Sequence, residues 1–172
     1  LARLDVRTVA RPHLEALVEE VGETATLSVA GDPDAITVDV VRASHYVQES
    51  SQLGRPSIAH ATAAGKVMLA FRGAGDAGPL IAYTERTIVD PLRLANELDR
   101  IRRRGFAEAY EERERGLNAI AAPVWSSNGG PVAIVALQGP LPRFGRAAAR
   151  AALPALLART ASISAELGSE SP

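Results

Sequence analysis

Ala119-Ile-Ala-Ala-Pro-Val-Trp125, Ser126-Ser-Asn-Gly-Gly-Pro131 and Val132-Ala-Ile-Val-Ala-Leu137 together decide the architecture. Two apolar runs flank an Asn-Gly pair. That is the strongest short-range hairpin signal, because tight hairpin turns need positive φ, which Asn and Gly tolerate. The second run is apolar on both faces, so it is expected to be a central strand covered by helices.

Outward from the hairpin the periods change. Arg146 to Leu167 reads as a final amphipathic helix with Leu153, Leu156, Leu157, Thr160 and Leu167 inward and a kink at Pro154. Gly168 to Pro172 reads as a frayed tail. Upstream, Phe106, Glu108 and Tyr110 alternate with alanines, as in a strand. Asp90-Pro91 is a helix start, Leu94, Leu98 and Ile101 share one face, and Gly105 is the stop. Leu80, Ile81 and Tyr83 suggest a short helix. Thr62 is placed to cap a helix running to Phe71 behind a loop from Gln52 to Ala61.

The first third repeats the hairpin theme. Ala25, Leu27 and Val29 alternate with polar or small residues, as in a half-buried strand. Gly31-Asp-Pro-Asp34 is a turn, and Ile36, Val38 and Val40 alternate again. A weaker extended stretch runs from about Ser44 to Glu49. Before these, Leu14, Leu17, Val18 and Val21 lie at helical spacing between Pro12, suited to a first turn, and Gly22. Leu4, Val6 and Val9 extend that helix upstream. Adjacent hairpins with interspersed helices predict one α+β domain over residues 1–172, with a mostly antiparallel sheet of about six strands.

Composition narrows the function classes. At 47% hydrophobic and 23% charged, the 172 residues can build an ordinary globular core. A net charge of −1 lacks the basic excess with which proteins grip phosphates, so the chain itself is not expected to bind nucleic acid. Arg100, Arg102, Arg103 and Arg104 form a basic cluster, but Glu97 and Asp99 share their helix, so a mixed solvated surface is expected. Without cysteine there is no disulfide, thiolate nucleophile or cysteine-held metal, which fits a cytoplasmic protein. No apolar run approaches the ~20 residues of a membrane span. The only methionine is Met68, so the chain is expected to be a piece of a longer protein.

Few residues suggest chemistry. His13 sits in a helix as a surface residue, and His45 and His60 flank the loop without metal-ligand spacing. Gly65-Lys66 looks like the end of a phosphate loop. His60 and Val67 stand where that motif needs Gly and Ser or Thr, which excludes it. The acidic pairs Asp32/Asp34 and Glu111/Glu112 read as turn and charged loop, with no partner to perturb them. Leu53 to Lys66 remains: a loop feeding small residues into a helix start. Open amides and the helix dipole there favour an anion. Close packing accounts for Ala63-Ala64-Gly65 equally well.

At these residues the sequence resembles a family. His60-Ala-Thr-Ala-Ala-Gly-Lys66, Leu53-Gly54-Arg55, Arg104-Gly105-Phe106, Glu111-Glu112 with Gly116-Leu117, Ala119 to Val124, and Gly139-Pro140 come in the order and spacing of the C-terminal effector-binding domain of IclR-type bacterial transcription regulators. The resemblance implies a GAF-like fold with a curved antiparallel sheet, self-association as a dimer or tetramer, and no catalysis and no cofactor. It also implies a winged helix-turn-helix half, absent here, that would enter through residues 1–11 and contact DNA to act as a repressor. By the resemblance, Tyr46, Glu49, Ser57, Ala63, Ala64, Ala109, Ala119, Ala136 and Gln138 line a pocket for a small organic effector. Family members that bind small acids tend to carry an aspartate at the place of Ala109, cysteine or serine near Ala119, and serines at those of Ala136 and Gln138. A pocket poor in hydroxyls is therefore expected, suited to an aromatic or longer carboxylic acid. Two other readings are an enzyme of the same fold acting through Glu49 or His60, and a ligand-free oligomerisation module.

Overall fold

The computed structural model describes residues 5–43, 53–72 and 76–168. Among these, four helices and six strands follow in the order α1 (Val6–Val21), β1 (Thr24–Ala30), β2 (Ala35–Val41), β3 (Pro56–Ser57), α2 (Ala63–Arg72), α3 (Pro91–Arg104), β4 (Ala107–Tyr110), β5 (Leu117–Trp125), β6 (Pro131–Pro140) and α4 (Arg146–Glu166). The strands form one antiparallel sheet in the order β3-β2-β1-β6-β5-β4. The hairpin runs Leu117↔Pro140 to Trp125↔Pro131, and β6 is central, between β1 and β5, as its two apolar faces require.

Helices cover both faces. On one, α1 and α4 pack Leu14, Leu17, Leu156 and Ile163 against Leu27, Ile120, Val135 and Leu137. On the other, α2 and α3 pack Val67, Met68, Leu94, Leu98 and Ile101 against Ala107, Ala121, Ile134 and Ala136. Each fully buried Leu or Ile contributes roughly 1.5–3 kcal/mol by leaving water. The small alanines on the second face leave room beside α2, and the site lies there.

The local start and stop signals act as expected. Asp90 Oδ1 accepts from Leu92 N–H, and Gly105 closes α3 with φ 83°, a left-handed conformation that disfavours residues with a Cβ. Thr62 Oγ1 accepts from Gly65 N–H at 3.0 Å. The basic cluster of α3 is partly offset within its helix by Arg100–Glu97, Arg102–Asp99 and Arg104–Glu97 pairs.

Several expectations need correction. Pro12 is inside α1, not in its first turn. The helix begins six residues earlier because Asp5 caps Arg7 N–H. No helix forms at Leu80 to Tyr83. Gly78-Pro79 interrupts the chain, and Thr84 and Thr87 tie the next residues into a turn through Thr87 Oγ1. The expected loop Gln52 to Ala61 contributes the short edge strand β3, paired as Ala35↔Ser57 and Ile36↔Pro56. β1 is buried on both faces over Thr24 to Ser28, with α1 packed on its apolar side. In α4, Leu157 is exposed and Leu153 half-buried, while Ala149, Ala152, Ile163 and Ser164 turn inward. His13 is a bridge between helices, with Nε2 2.7 Å from Glu166 Oε1 and Nδ1 3.4 Å from Arg159 Nη1. The extended stretch at Ser44 to Glu49, His45 included, lies outside the described residues.

Candidate functional site

A cavity of about 220 Å³ opens between the start of α2, the sheet and the turn after β4. Ser57, Ala63, Ala109, Ala119 and Gln138 line it. Ala109 and Ala119 are direct partners across β4 and β5, and with Ala63 they make a shallow apolar floor. Ala64 and Ala136 instead lie buried in the core between α2 and the sheet. Tyr46 and Glu49 lie outside the described residues.

The remaining wall was not foreseen. Thr26 of β1 and Thr37 of β2 bring hydroxyls to the cavity, beside those of Ser57 and Thr62. The expected shortage of hydroxyls is therefore corrected: they arrive from β1 and β2, not from β4 and β6. Both threonines have the alternation of a polar outer face. What makes that face interior is a layer of helix far along the chain. Thr62 Oγ1 is already committed, donating to Ile58 O at 2.9 Å and accepting from Gly65.

The helix start divides its small residues between two tasks. The N–H groups of Ala63 and Ala64 belong to the first turn and have no acceptor within the helix. Gly65 is small for packing. A Cβ there would fall against the Ile58 carbonyl oxygen and within 2.7 Å of Ala59 Cα and O.

Charge surrounds the cavity unevenly. Exposed Arg55 and Glu114 and half-buried Arg113 lie at its margin, with the Arg113 guanidinium 4.2 Å over the Tyr83 ring. Glu112 is buried, and its partner is Lys66, only 1% exposed. Lys66 Nζ donates to both Glu112 oxygens at 3.0 Å and to the Glu108 carbonyl at 2.6 Å, with Glu97 Oε1 at 3.9 Å. Glu112 Oε2 also accepts from Tyr110 N–H at 3.2 Å. Burial pushes the Glu112 carboxyl above the usual range, and the charge and hydrogen bonds of Lys66 pull it back. The Glu111/Glu112 pair thus does hold a perturbed acid, and the chain's single lysine is its counter-ion. The two are 46 residues apart in sequence, and no local signal joins them.

These contacts also finish the sheet. Glu108 and Tyr110 point their main-chain groups away from β5, as alternate residues of an outer antiparallel strand do. Lys66 takes the carbonyl of the first and Glu112 the N–H of the second.

His60 stands behind this wall and outside the cavity lining. It is buried, its Nε2–H donates to Ile81 O at 2.8 Å, and Nδ1 finds no partner among the described residues. No group of three metal-ligating side chains occurs among the described residues. No helix among them is long and apolar enough to cross a membrane.

The comparisons agree with one another. Residues 1–165 match the family described as bacterial transcriptional regulator IclR C-terminal. The chain is 33% identical over 144 residues to transcriptional repressor IclR of Escherichia coli (strain K12), covering 79% of this chain and 53% of that protein. It spans about half the length of the curated relatives it matches. The crystal structure of Thermotoga maritima IclR superposes with a TM-score of 0.88 at 30% identity, over 96% of this chain and 70% of that one. An IclR homologue from Microbacterium hydrocarbonoxydans, complexed with 4-hydroxybenzoate, has the same fold, with a TM-score of 0.87 at 24% identity over 95% and 68% of the chains. The chain belongs to the IclR family of bacterial transcriptional regulators, as its C-terminal effector-binding domain.

Proposed function

We propose that the cavity beside α2 receives a small carboxylic acid with an apolar, preferably aromatic, body. In this reading, binding changes how a self-associated regulator presents its DNA-binding halves. The observation that carries it is the cavity itself. Helix-start amides and two arginines attract an anion, while Ala63, Ala109 and Ala119 offer only apolar contact. At about 220 Å³ it suits a small molecule and not a peptide. The mechanism is population shift: a ligand that favours one arrangement of the oligomer moves the equilibrium by its differential affinity, and no bond is made or broken. The placement of His60 behind the wall, bonded to Ile81 O, speaks against catalysis through it.

Calorimetric titration of the chain with benzoate, pyruvate and glyoxylate tests the reading. Benzoate binds more tightly than the two short acids if it holds. Tight binding by pyruvate or glyoxylate overturns it. Absence of any thermal stabilisation across a metabolite panel favours a ligand-free oligomerisation module, since a ligand of the native state must raise its apparent stability.

A further inference from the structure

The Asn128-Gly129 pair closes the β5–β6 hairpin outside the sheet, between Trp125 and Pro131, and both residues are exposed. Ser126 holds the turn through the main chain. Its carbonyl accepts from Gly129 N–H at 3.1 Å, its N–H donates to Gly130 O at 2.9 Å, and its Oγ accepts from Asn128 N–H at 3.3 Å. The Asn128 side-chain amide makes no hydrogen bond among the described residues. The space beside Gly129 is open, since a Cβ placed there would meet nothing within 4 Å. The chain's other two asparagines are guarded. Asn118 is 1% exposed, its Nδ2 donates to Phe144 O at 2.8 Å, and its Oδ1 accepts from Glu111 N–H at 3.1 Å. Asn96 lies inside α3, where the following amide, that of Glu97, belongs to the helix ladder.

We infer that Asn128 is a site of spontaneous, irreversible modification, its side-chain amide converting to aspartate and isoaspartate through a cyclic imide. The Gly129 main-chain nitrogen attacks Asn128 Cγ and forms the new C–N bond. The Cγ–Nδ2 bond breaks, and Nδ2 leaves as ammonia with the proton that the Gly129 amide gives up. Water then opens the five-membered ring. Cleavage at Cγ yields aspartate, and cleavage at the Asn128 main-chain carbonyl yields isoaspartate. Water enters, ammonia leaves, and no other reactant is needed. Gly129 favours the attack because it has no Cβ to hinder the approach of its nitrogen. The turn opposes it through one bond: Gly129 N–H must leave Ser126 O, which slows the attack by up to about tenfold. The product adds a carboxylate to a chain of net charge −1. In the isoaspartyl form it also lengthens the main chain of the turn by a methylene, where turn length helps to set the register from Leu117↔Pro140 to Trp125↔Pro131.

The test incubates the folded chain beside a synthetic peptide of residues 124–132 at pH 8. Samples are followed by reversed-phase chromatography and fragment-ion mass spectrometry after digestion. The peptide supplies the rate with no fold around the pair. Asn128 in the chain is expected to convert at no less than about a tenth of the peptide's rate, the loss that one turn hydrogen bond allows. The products should elute as separate aspartate and isoaspartate peaks, each with –NH2 exchanged for –OH, while Asn96 and Asn118 stay intact. Asn128→Gln, whose longer side chain needs a larger ring, should stay unconverted over the same period. Conversion more than about tenfold slower than in the peptide means that the fold protects the pair, and it overturns the inference. Conversion of Asn96 or Asn118 ahead of Asn128 overturns it as well. Aspartate formed without isoaspartate overturns the cyclic-imide step.

Discussion

Lys66→Met removes a charge but little volume, and its effect can be worked from the contacts. The wild-type ammonium serves the Glu108 carbonyl and both oxygens of Glu112. With methionine there, the Glu112 charge is buried with Tyr110 N–H as its one remaining donor, and the Glu108 carbonyl has lost the ammonium. Removing one partner of a buried pair costs about 3–5 kcal/mol, much of a typical domain's stability. The pH dependence follows from the direction of the shift. Burial already raises the Glu112 carboxyl, and the opposing influence of Lys66 disappears in the variant, so the folded-state value climbs further. A carboxyl raised in the folded state supports folding below its unfolded value and loses that support as pH rises through the folded value. Urea denaturation should therefore show a deficit that is small near pH 4.5 and grows toward pH 7. Adding Glu112→Leu should recover most of it, short of the Tyr110 N–H that stays unpaired. A deficit below about 1 kcal/mol at pH 7, or no recovery in the double variant, would refute the reasoning.

Other perturbations isolate single contributions. Gly65→Ala should destabilise by about 1–3 kcal/mol in urea melts despite the better helix propensity of alanine, because its Cβ meets the main chain of Ile58 and Ala59. Asp90→Ala should cost about 1 kcal/mol by removing the cap on Leu92 N–H, with no change in ligand titrations. Asp39, buried on β2, binds Arg11 at 2.8 Å and lies 3.8 Å from Arg7. Asp39→Ala should thus speed amide exchange across α1 while leaving α3 protected, and uniform exchange rates across both helices would argue against that anchoring role.

What could be read in advance was local. Asp90-Pro91 and Gly105 bound α3 by chemistry contained within a turn, and the doubly apolar Val132 to Leu137 announced a central strand. The pocket was half legible. Ser57, Ala63, Ala109, Ala119 and Gln138 came through family likeness, whereas Thr26 and Thr37 were hidden because a polar face looks the same whether water or a cavity lies beyond it. Lys66 and Glu112 were hidden for a different reason. Lys66 reads only as the end of a failed phosphate-loop motif and Glu112 as part of a charged loop, and only folding brings them together across 46 residues. Leu157 misled because α4 meets the sheet through small residues such as Ala149, Ala152 and Ser164, which apolar periodicity underweights. Ser164 has a specific task there: its Oγ accepts from Trp125 N–H at 2.9 Å.

The double engagement of β4 has a consequence for assembly. An outer strand with vacant amides invites a neighbouring molecule to add its own strand and continue the ladder, the usual beginning of sheet-driven aggregation. In this chain the vacancy is filled from within, by the Lys66 ammonium on one outward carbonyl and the Glu112 carboxylate on one outward amide. The Lys66 and Glu112 contacts stand in the way of main-chain zippering along β4, and Glu112 also borders the cavity.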